Sequence, residues 1–341
     1  MLKKFFYKFL FNHPDLLHSV KLLISSNLVA NSSLYKKMVM KKARRFAMES
    51  KEHEEAISIE TTLSCNSRCI FCAHHRKIMT GTMTKELYEK IIDECQACGI
   101  KQIFFGVYGE FLTDKFMFER IEYLRKYGMN YGFITNASLL TPEITDKLFK
   151  LGGLNTVNFS ANGFSKEVYE ETMVGLKRDV AYRNMLYFLE QKEKHQTNDL
   201  AVVVSAVRTK LNKKDLKDFY NFWKKQKGVT TIFAIDLMDR IGKDYEGELG
   251  ELGAMDSKSN WLSPCRYVWE ALRVYYDGKV SSCCKEDDER KFIIGDLTRQ
   301  TIKEVLSGEA LKNLRECHLS GKRKDHPVCG KCYLNSIWFG Q

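Results

Sequence analysis

Three thiols stand within eight residues in the stretch Cys65-Asn66-Ser67-Arg68-Cys69-Ile70-Phe71-Cys72, with three residues between the first pair and two between the second. Thiolates are soft ligands suited to zinc or to iron–sulfur clusters. A closed structural zinc site wants four protein ligands. No fourth Cys or suitably spaced His completes one here, because His74 and His75 follow Cys72 too closely. Three ligands on a 4Fe–4S cluster leave one iron open to a small molecule. The spacing favours that reading over a zinc site or a chance group of buried thiols.

A second Cys group occupies the last eighty residues: Cys265, Cys283, Cys284, Cys317, Cys329 and Cys332. The gap of two residues in Cys329-Gly330-Lys331-Cys332 suits a cluster and zinc equally well. The turn pair Asp277-Gly278, flanked by Arg273-Val-Tyr-Tyr and Lys279-Val-Ser-Ser, predicts a hairpin that delivers the chain to Cys283. Cys95 and Cys98 are also spaced as Cys-x-x-Cys. They share a helical face with Leu87 and Ile91 and are assigned to the core.

The elements that must position these thiols follow from periodicity. Ala56-Ile-Ser-Ile-Glu-Thr-Thr is a short β-rich run leading to Cys65. Thr84 caps a helix running to Cys98, which Gly99 ends. Further strands are expected at 101–108, 129–135, 154–160, 200–205 and 229–236, with helices over about 114–127, 179–194 and 213–226, and another opened by Thr141-Pro142. Six strand–helix units predict an α/β fold of parallel strands with right-handed crossovers, the sheet curved into a partial barrel. Ligands in such folds bind beyond the carboxyl ends of the strands.

The organisation expected is a basic helical extension over residues 1–50, a core over 51–245 and a small C-terminal domain over 246–341. The Gly-rich, acidic stretch 239–263 reads as the linker. At 341 residues and 44% hydrophobic content the chain has ample material for a core. Eleven Cys are too few for a disulfide scaffold at this length and argue for a reducing cytoplasm. No apolar run reaches transmembrane length, and the opening segment lacks a small-residue cleavage site. Of the net charge of +11, residues 1–45 supply +9, with ten Lys or Arg and one acidic residue. Phe5, Phe6, Phe9, Leu10, Leu16, Leu17, Val20 and Leu23 recur near helical spacing, so two or three short amphipathic helices are expected there. Such an arm either lies on an anionic membrane surface, making the protein peripheral at the membrane, or packs its apolar face on the main domain. Nucleic acid is not an expected partner.

The first Cys motif, with Phe71 immediately before its third Cys, resembles that of the radical S-adenosylmethionine (SAM) superfamily. The resemblance implies a partial (β/α)6 barrel. It also implies a 4Fe–4S cluster on Cys65, Cys69 and Cys72 whose open iron takes the amino and carboxylate groups of SAM, and a 5′-deoxyadenosyl radical that abstracts hydrogen from the substrate. It implies SAM contacts from Tyr108-Gly109-Glu110, where relatives have Gly-Gly-Glu, and from Asn136. It implies further contacts from Ser160 and Asn162, where Asn replaces an Asp and loses its charge. The C-terminal Cys group is similar to the shortened, twitch-like form of the SPASM auxiliary domain. The resemblance implies a second 4Fe–4S cluster on Cys265, Cys283, Cys329 and Cys332, with Cys284 as the rival for Cys283 and a zinc ribbon as the alternative. The spacing is similar to that of the radical SAM dehydrogenases of aminocyclitol biosynthesis. From that likeness come Arg240 as first candidate for a substrate contact and a sugar, aminocyclitol or polysaccharide precursor as substrate. A flavodoxin or ferredoxin is implied as electron donor. Three rivals stand beside this reading: an epimerase with Cys317 or Cys284 as hydrogen donor, a peptide-modifying enzyme, and a zinc-dependent binding protein.

Overall fold

The computed structural model describes residues 32–49, 56–72, 80–106, 108–236, 264–283 and 292–331. Arg240, Cys284, Cys332, the 239–263 linker and the first part of the basic extension lie outside these residues.

Six strands, β1 (Ala56–Ile59), β2 (Gln102–Phe105), β3 (Asn130–Thr135), β4 (Leu154–Ser160), β5 (Ala201–Arg208) and β6 (Thr231–Asp236), pair in sequence order and all in parallel. The strands follow the order expected. The intervening helices are α2 (Lys85–Ala97), α3 (Met117–Lys126), α4 (Pro142–Leu151), α5 (Lys166–Thr172), α6 (Arg178–Lys194) and α7 (Leu216–Trp223). One helix of the basic extension, α1 (Ser33–Glu49), precedes them.

Local chemistry explains the boundaries. The Thr84 hydroxyl accepts from Leu87 N–H and opens α2, and Gly99 leaves it at φ +76°. Thr141 accepts from Ile144 N–H, with Pro142 in the first turn of α4. The third helix starts later than the expected residue 114. A 3-10 turn at Phe111–Thr113 comes first, and the Asp114 carboxylate accepts from Phe116 N–H at 3.0 Å while pairing with Arg120 at 2.8 Å. Helix α5 was not expected from the sequence. Its seven residues are too few to show a period.

The strands alternate. Ile57, Ile59, Ile103, Phe105, Phe133, Val157, Phe159, Val202 and Val204 are buried on the face that carries the helices. Each such side chain contributes roughly 1.5–3 kcal/mol on leaving water. Cys95 is wholly buried among them, and Cys98 is half-buried against the same core. On the opposite face Ser58, Phe104, Asn158, Ser205 and Phe233 stay partly accessible, and Ile134 is 38% exposed. The lumen side of the sheet is therefore open along its middle strands.

The C-terminal domain is joined to this sheet. The expected hairpin forms as β7 (Arg273–Val274) and β8 (Lys279–Ser281), with Gly278 at φ +83° in its turn. Strand β7 pairs in parallel with β1, through Ser58 and Arg273 and through Ile59 and Val274. With β9 (Gly295–Asp296) the result is one sheet of nine strands. Helices α8 (Tyr267–Glu270), α9 (Ile302–Leu306) and α10 (Glu309–Leu319) complete the domain. Helix α1 contacts α10, and its Ala43 is buried.

Candidate active site at the strand ends

The first Cys loop leaves β1 and is fastened on two sides. Leu63 N–H donates to Gly81 O at 2.8 Å, and Thr62 bridges to Thr82. Beyond Cys65 the loop hydrogen-bonds to the segment after α5: Arg68 N–H to Val174 O at 2.9 Å, Ile70 N–H to Thr172 O at 3.1 Å, and the Ser67 hydroxyl to Val174 O at 3.2 Å. Cys65, Cys69, Cys72 and Phe71 are partly accessible. Burial pushes the thiols of Cys65 and Cys69 up to about 12, with smaller contributions from the neighbouring thiols of the motif. Burial thus favours the protonated form at Cys65 and Cys69, and a metal must displace those protons on binding. Among the described residues no three His, Cys, Asp or Glu side chains close to the separation that holds a single metal ion.

The loop after β2 presses on the first. Gly109 has φ +77°, and a Cβ there would collide with the Thr62 carbonyl oxygen. Only Gly permits this approach, so the turn after β2 lies against the chain leading into Cys65. Glu110 N–H donates to Ser64 O at 2.8 Å. The Glu110 side chain, 3% exposed, accepts from Asn136 N–H at 2.8 Å and from Leu112 N–H at 3.3 Å. Burial pushes its carboxyl up to about 7 against the lowering effect of these hydrogen bonds. Asn136 in turn donates from Nδ2 to Asn66 Oδ1 at 2.9 Å, and Asn66 donates to the Ser138 hydroxyl at 2.7 Å. The ends of β1, β2 and β3 are joined through Asn66, Glu110 and Asn136.

Other residues named from the sequence fall differently. Tyr108, where the resemblance implies a Gly, is buried with Leu63 against the partly buried Tyr276, and its N–H donates to Glu60 Oε2 at 3.3 Å. Ser160 lies at the end of β4, half-buried. Asn162 sits in the loop after β4. It is wholly buried, its Nδ2 donates to the Ser160 hydroxyl at 3.1 Å, and its Oδ1 accepts from Val207 N–H at 2.6 Å. The side chain ties the loop after β4 to β5.

In the C-terminal domain two histidines seat two of the expected ligands. His318 is wholly buried, and its Nδ1 accepts from Cys265 N–H at 2.9 Å. His326 Nδ1 accepts from Cys329 N–H at 3.1 Å. Burial lowers the pKa of His318 to about 3, which keeps it the neutral acceptor this contact needs. Cys283 N–H donates to the Ser281 hydroxyl at 3.1 Å. The Cys317 thiol donates to Lys322 O at 3.2 Å as α10 ends. The sequence reading missed Glu60, Asn66, His318 and His326. A buried acid directly after a strand was a usable signal for Glu60, whereas the partners of the others are distant in sequence.

A parallel six-stranded sheet with a three-thiol loop after its first strand, and a hairpin leading to Cys283 on its edge, defines an α/β fold with Cys-bearing loops at the strand ends. Residues 59–222 match the family model of the radical SAM superfamily, and residues 265–333 match that of the SPASM iron–sulfur cluster-binding domain. The chain carries a radical SAM domain over residues 59–222 and a SPASM-type iron–sulfur domain over residues 265–333. It is similar to the tungsten-containing aldehyde ferredoxin oxidoreductase cofactor-modifying protein of Pyrococcus furiosus, 28% identical over 166 residues, or 48% of this chain and 46% of that one. It is 33% identical over 116 residues to the AdoMet-dependent heme synthase of Methanosarcina barkeri, 33% of each chain. The chain spans less than half the length of these curated relatives. Its fold is shared with BtrN in complex with AdoMet and 2-DOIA, at TM-score 0.55 and 17% identity over 86% of this chain and 97% of that one. Streptococcus suis SuiB bound to the precursor peptide SuiA has TM-score 0.62 and 13% identity, covering 88% and 79%.

The residues present fit the groups these domains bind. The three thiols of one loop supply a soft donor set, and the left-handed Gly109 lets its turn lie directly against the chain leading into Cys65.

Proposed function

We propose that the chain oxidises a hydroxyl-bearing carbon of a sugar, aminocyclitol or polysaccharide precursor, using two 4Fe–4S clusters and SAM. The first cluster rests on Cys65, Cys69 and Cys72, and the second on Cys265, Cys283, Cys329 and Cys332. When bound, the first cluster and SAM supply a hydrogen-abstracting radical, and the second cluster supplies an electron acceptor. A reduced flavodoxin or ferredoxin is the donor that suits such a cluster.

The observation that carries the reading is the seam between barrel and auxiliary domain. Strand β7 lies on β1, and the buried Glu60 accepts from Tyr108 N–H at 3.3 Å and from Tyr276 N–H at 3.4 Å. One carboxylate thereby holds the SAM-side turn and the auxiliary hairpin together. An oxidation needs an acceptor held rigidly beside the barrel, and a redox-neutral isomerisation does not. The chain's own part is positioning. Glu110, Asn136 and Asn66 hold the loops, and the accessible lumen face, with Ser205 donating to Asn158 Oδ1 at 2.8 Å, offers polar groups to a hydroxylated substrate. Arg240 is proposed as a further substrate contact.

The test is the product. Oxidation removes a hydrogen atom, a proton and an electron, so the product is expected two hydrogens lighter, with one SAM consumed per turnover and no solvent deuterium at the reacting carbon. Protein reconstituted under anaerobic conditions should hold about eight irons per chain, four per cluster. Cys329→Ala with Cys332→Ala should abolish product and leave residual SAM cleavage. An isomeric product carrying deuterium overturns the reading in favour of an epimerase, and modification of a peptide overturns it in favour of peptide chemistry.

A further inference from the structure

Strand β7 brings a cation to the lumen side of the sheet. It pairs with β1 in parallel, Arg273 opposite Ser58 and Val274 opposite Ile59. Val274 is buried in the helix-covered core with Ile57 and Ile59. Alternation therefore turns Arg273 to the other face, with Ser58, Phe104, Asn158, Ser205 and Phe233. Among the described residues of β1–β7, Arg273 is the one charged side chain on that face. Arg208 and Asp236, register partners at the ends of β5 and β6, fall on the opposite one.

The surroundings do not neutralise this charge. Arg273 is half-buried with its Nε covered, and among the described residues its guanidinium makes no hydrogen bond and no ion pair. The first carboxylate along β1 is Glu60, two residues beyond Ser58, or about 7 Å by strand rise. It is taken up by Tyr108 N–H and Tyr276 N–H. The core side shows a buried guanidinium with its partners in place: Arg120 pairs with Asp114 at 2.8 Å and donates to Met83 O. A guanidinium stays charged at every accessible pH, and taking it partly out of water is costly without a counter-charge. Its planar fork matches a carboxylate or a phosphate through two parallel hydrogen bonds.

We propose that Arg273 binds an oxyanion of the substrate, a phosphate ester or a carboxylate, and so selects an acidic hydroxylated substrate over a neutral sugar or a cationic aminocyclitol. This deepens the reading above and rests on it in taking the lumen as the substrate's place. The auxiliary domain supplies the anchor from the first strand of its hairpin, while Asn158 and Ser205 on β4 and β5 offer hydrogen bonds to hydroxyls. The same charge repels an ammonium group, so the selection works against the wrong substrate as well as for the right one.

The experiment uses the full chain, reconstituted under anaerobic conditions, with SAM bound and the clusters left oxidised so that no turnover occurs. Equilibrium dialysis measures binding of glucose 1-phosphate, glucuronate and glucose to wild type, Arg273→Gln, Arg273→Lys and Arg183→Gln. Arg183, exposed on α6, reports non-specific attraction of anions to a basic protein. Wild type is expected to prefer one of the acids to glucose by about tenfold or more, the worth of one charge-assisted contact. The preference should disappear in Arg273→Gln, survive in part in Arg273→Lys and stay unchanged in Arg183→Gln. Which acid is favoured decides between phosphate and carboxylate. Equal binding of acid and neutral sugar by wild type overturns the proposal, as does an undiminished preference in Arg273→Gln or an equal loss in Arg183→Gln. Weakened SAM binding in Arg273→Gln also refutes it, because the cation then serves the SAM carboxylate. Should Arg273→Gln fail to hold iron, wild type decides. The favoured acid should protect Arg273 from phenylglyoxal, read by peptide mass spectrometry, and SAM alone should not; equal labelling with and without the acid sinks the proposal. Neither measurement involves turnover, so an isomeric product overturns the oxidation and leaves the role of Arg273 standing.

Discussion

Glu110 joins stability to function in one side chain. It holds the β3 turn by accepting from Asn136 N–H, and its burial raises the carboxyl from 4.5 to about 7. The sign follows directly. A carboxyl with a raised native pKa contributes its full stability below about pH 4.5 and loses it as pH rises through about 7. In Glu110→Gln the neutral amide removes this dependence. Its NH2 must also face one of the two backbone N–H donors, at a cost of about 1–3 kcal/mol. The variant is therefore expected to melt lower than wild type at pH 5, with the gap narrowing by pH 8. Thermal denaturation across that range checks it, and a gap that does not change with pH refutes the assignment.

At the scale of elements, the turn after β2 is limited by contact with the turn after β1. Gly109→Ala must either relax φ from +77° or push back the Thr62 carbonyl. The left-handed conformation alone costs about 1–2 kcal/mol for a non-Gly residue. Because the obstructing backbone leads straight into Cys65, the strain is expected in the site more than in the core. SAM binding measured by equilibrium dialysis should weaken at least tenfold, on the order of 1.4 kcal/mol, with the far-UV spectrum retained. Wild-type affinity in Gly109→Ala would show that the two turns are not coupled.

For the whole molecule, the asymmetric charge gains a surface in α1. The helix contacts α10 on one side, while Leu34 is 70% and Met38 47% exposed and Lys37, Lys41 and Arg44 also face solvent. Among the described residues no helix is long and apolar enough to cross a membrane. Exposed apolar side chains bordered by cations suit contact with an anionic lipid surface, worth about 1 kcal/mol per basic residue near it. Flotation of the intact protein with liposomes should require phosphatidylserine or phosphatidylglycerol, weaken with salt, and fall when Lys37, Lys41 and Arg44 are changed to Glu. Flotation with neutral vesicles alone, or none, favours the packing explanation for the extension.

Much of this protein was legible in its sequence because the signals were local. The spacing of Cys65, Cys69 and Cys72 limits the metal chemistry, and the alternation of short β-rich runs with capped helical stretches predicts six parallel strands in order. Thr84, Thr141-Pro142 and Asp277-Gly278 act on residues within one turn of themselves, so their effect can be read without a fold. Tertiary structure decided which distant groups meet. It set β7 on the free edge of β1, and it placed Glu60 between the turn after β2 and the hairpin. It paired Asn66 with Asn136, and His318 with the Cys265 backbone 53 residues away. It also buried Asn162 as a brace between the loop after β4 and β5. A buried polar atom takes whichever partner the ends of the strands bring within 3 Å or so, and no periodicity along the chain encodes that distance.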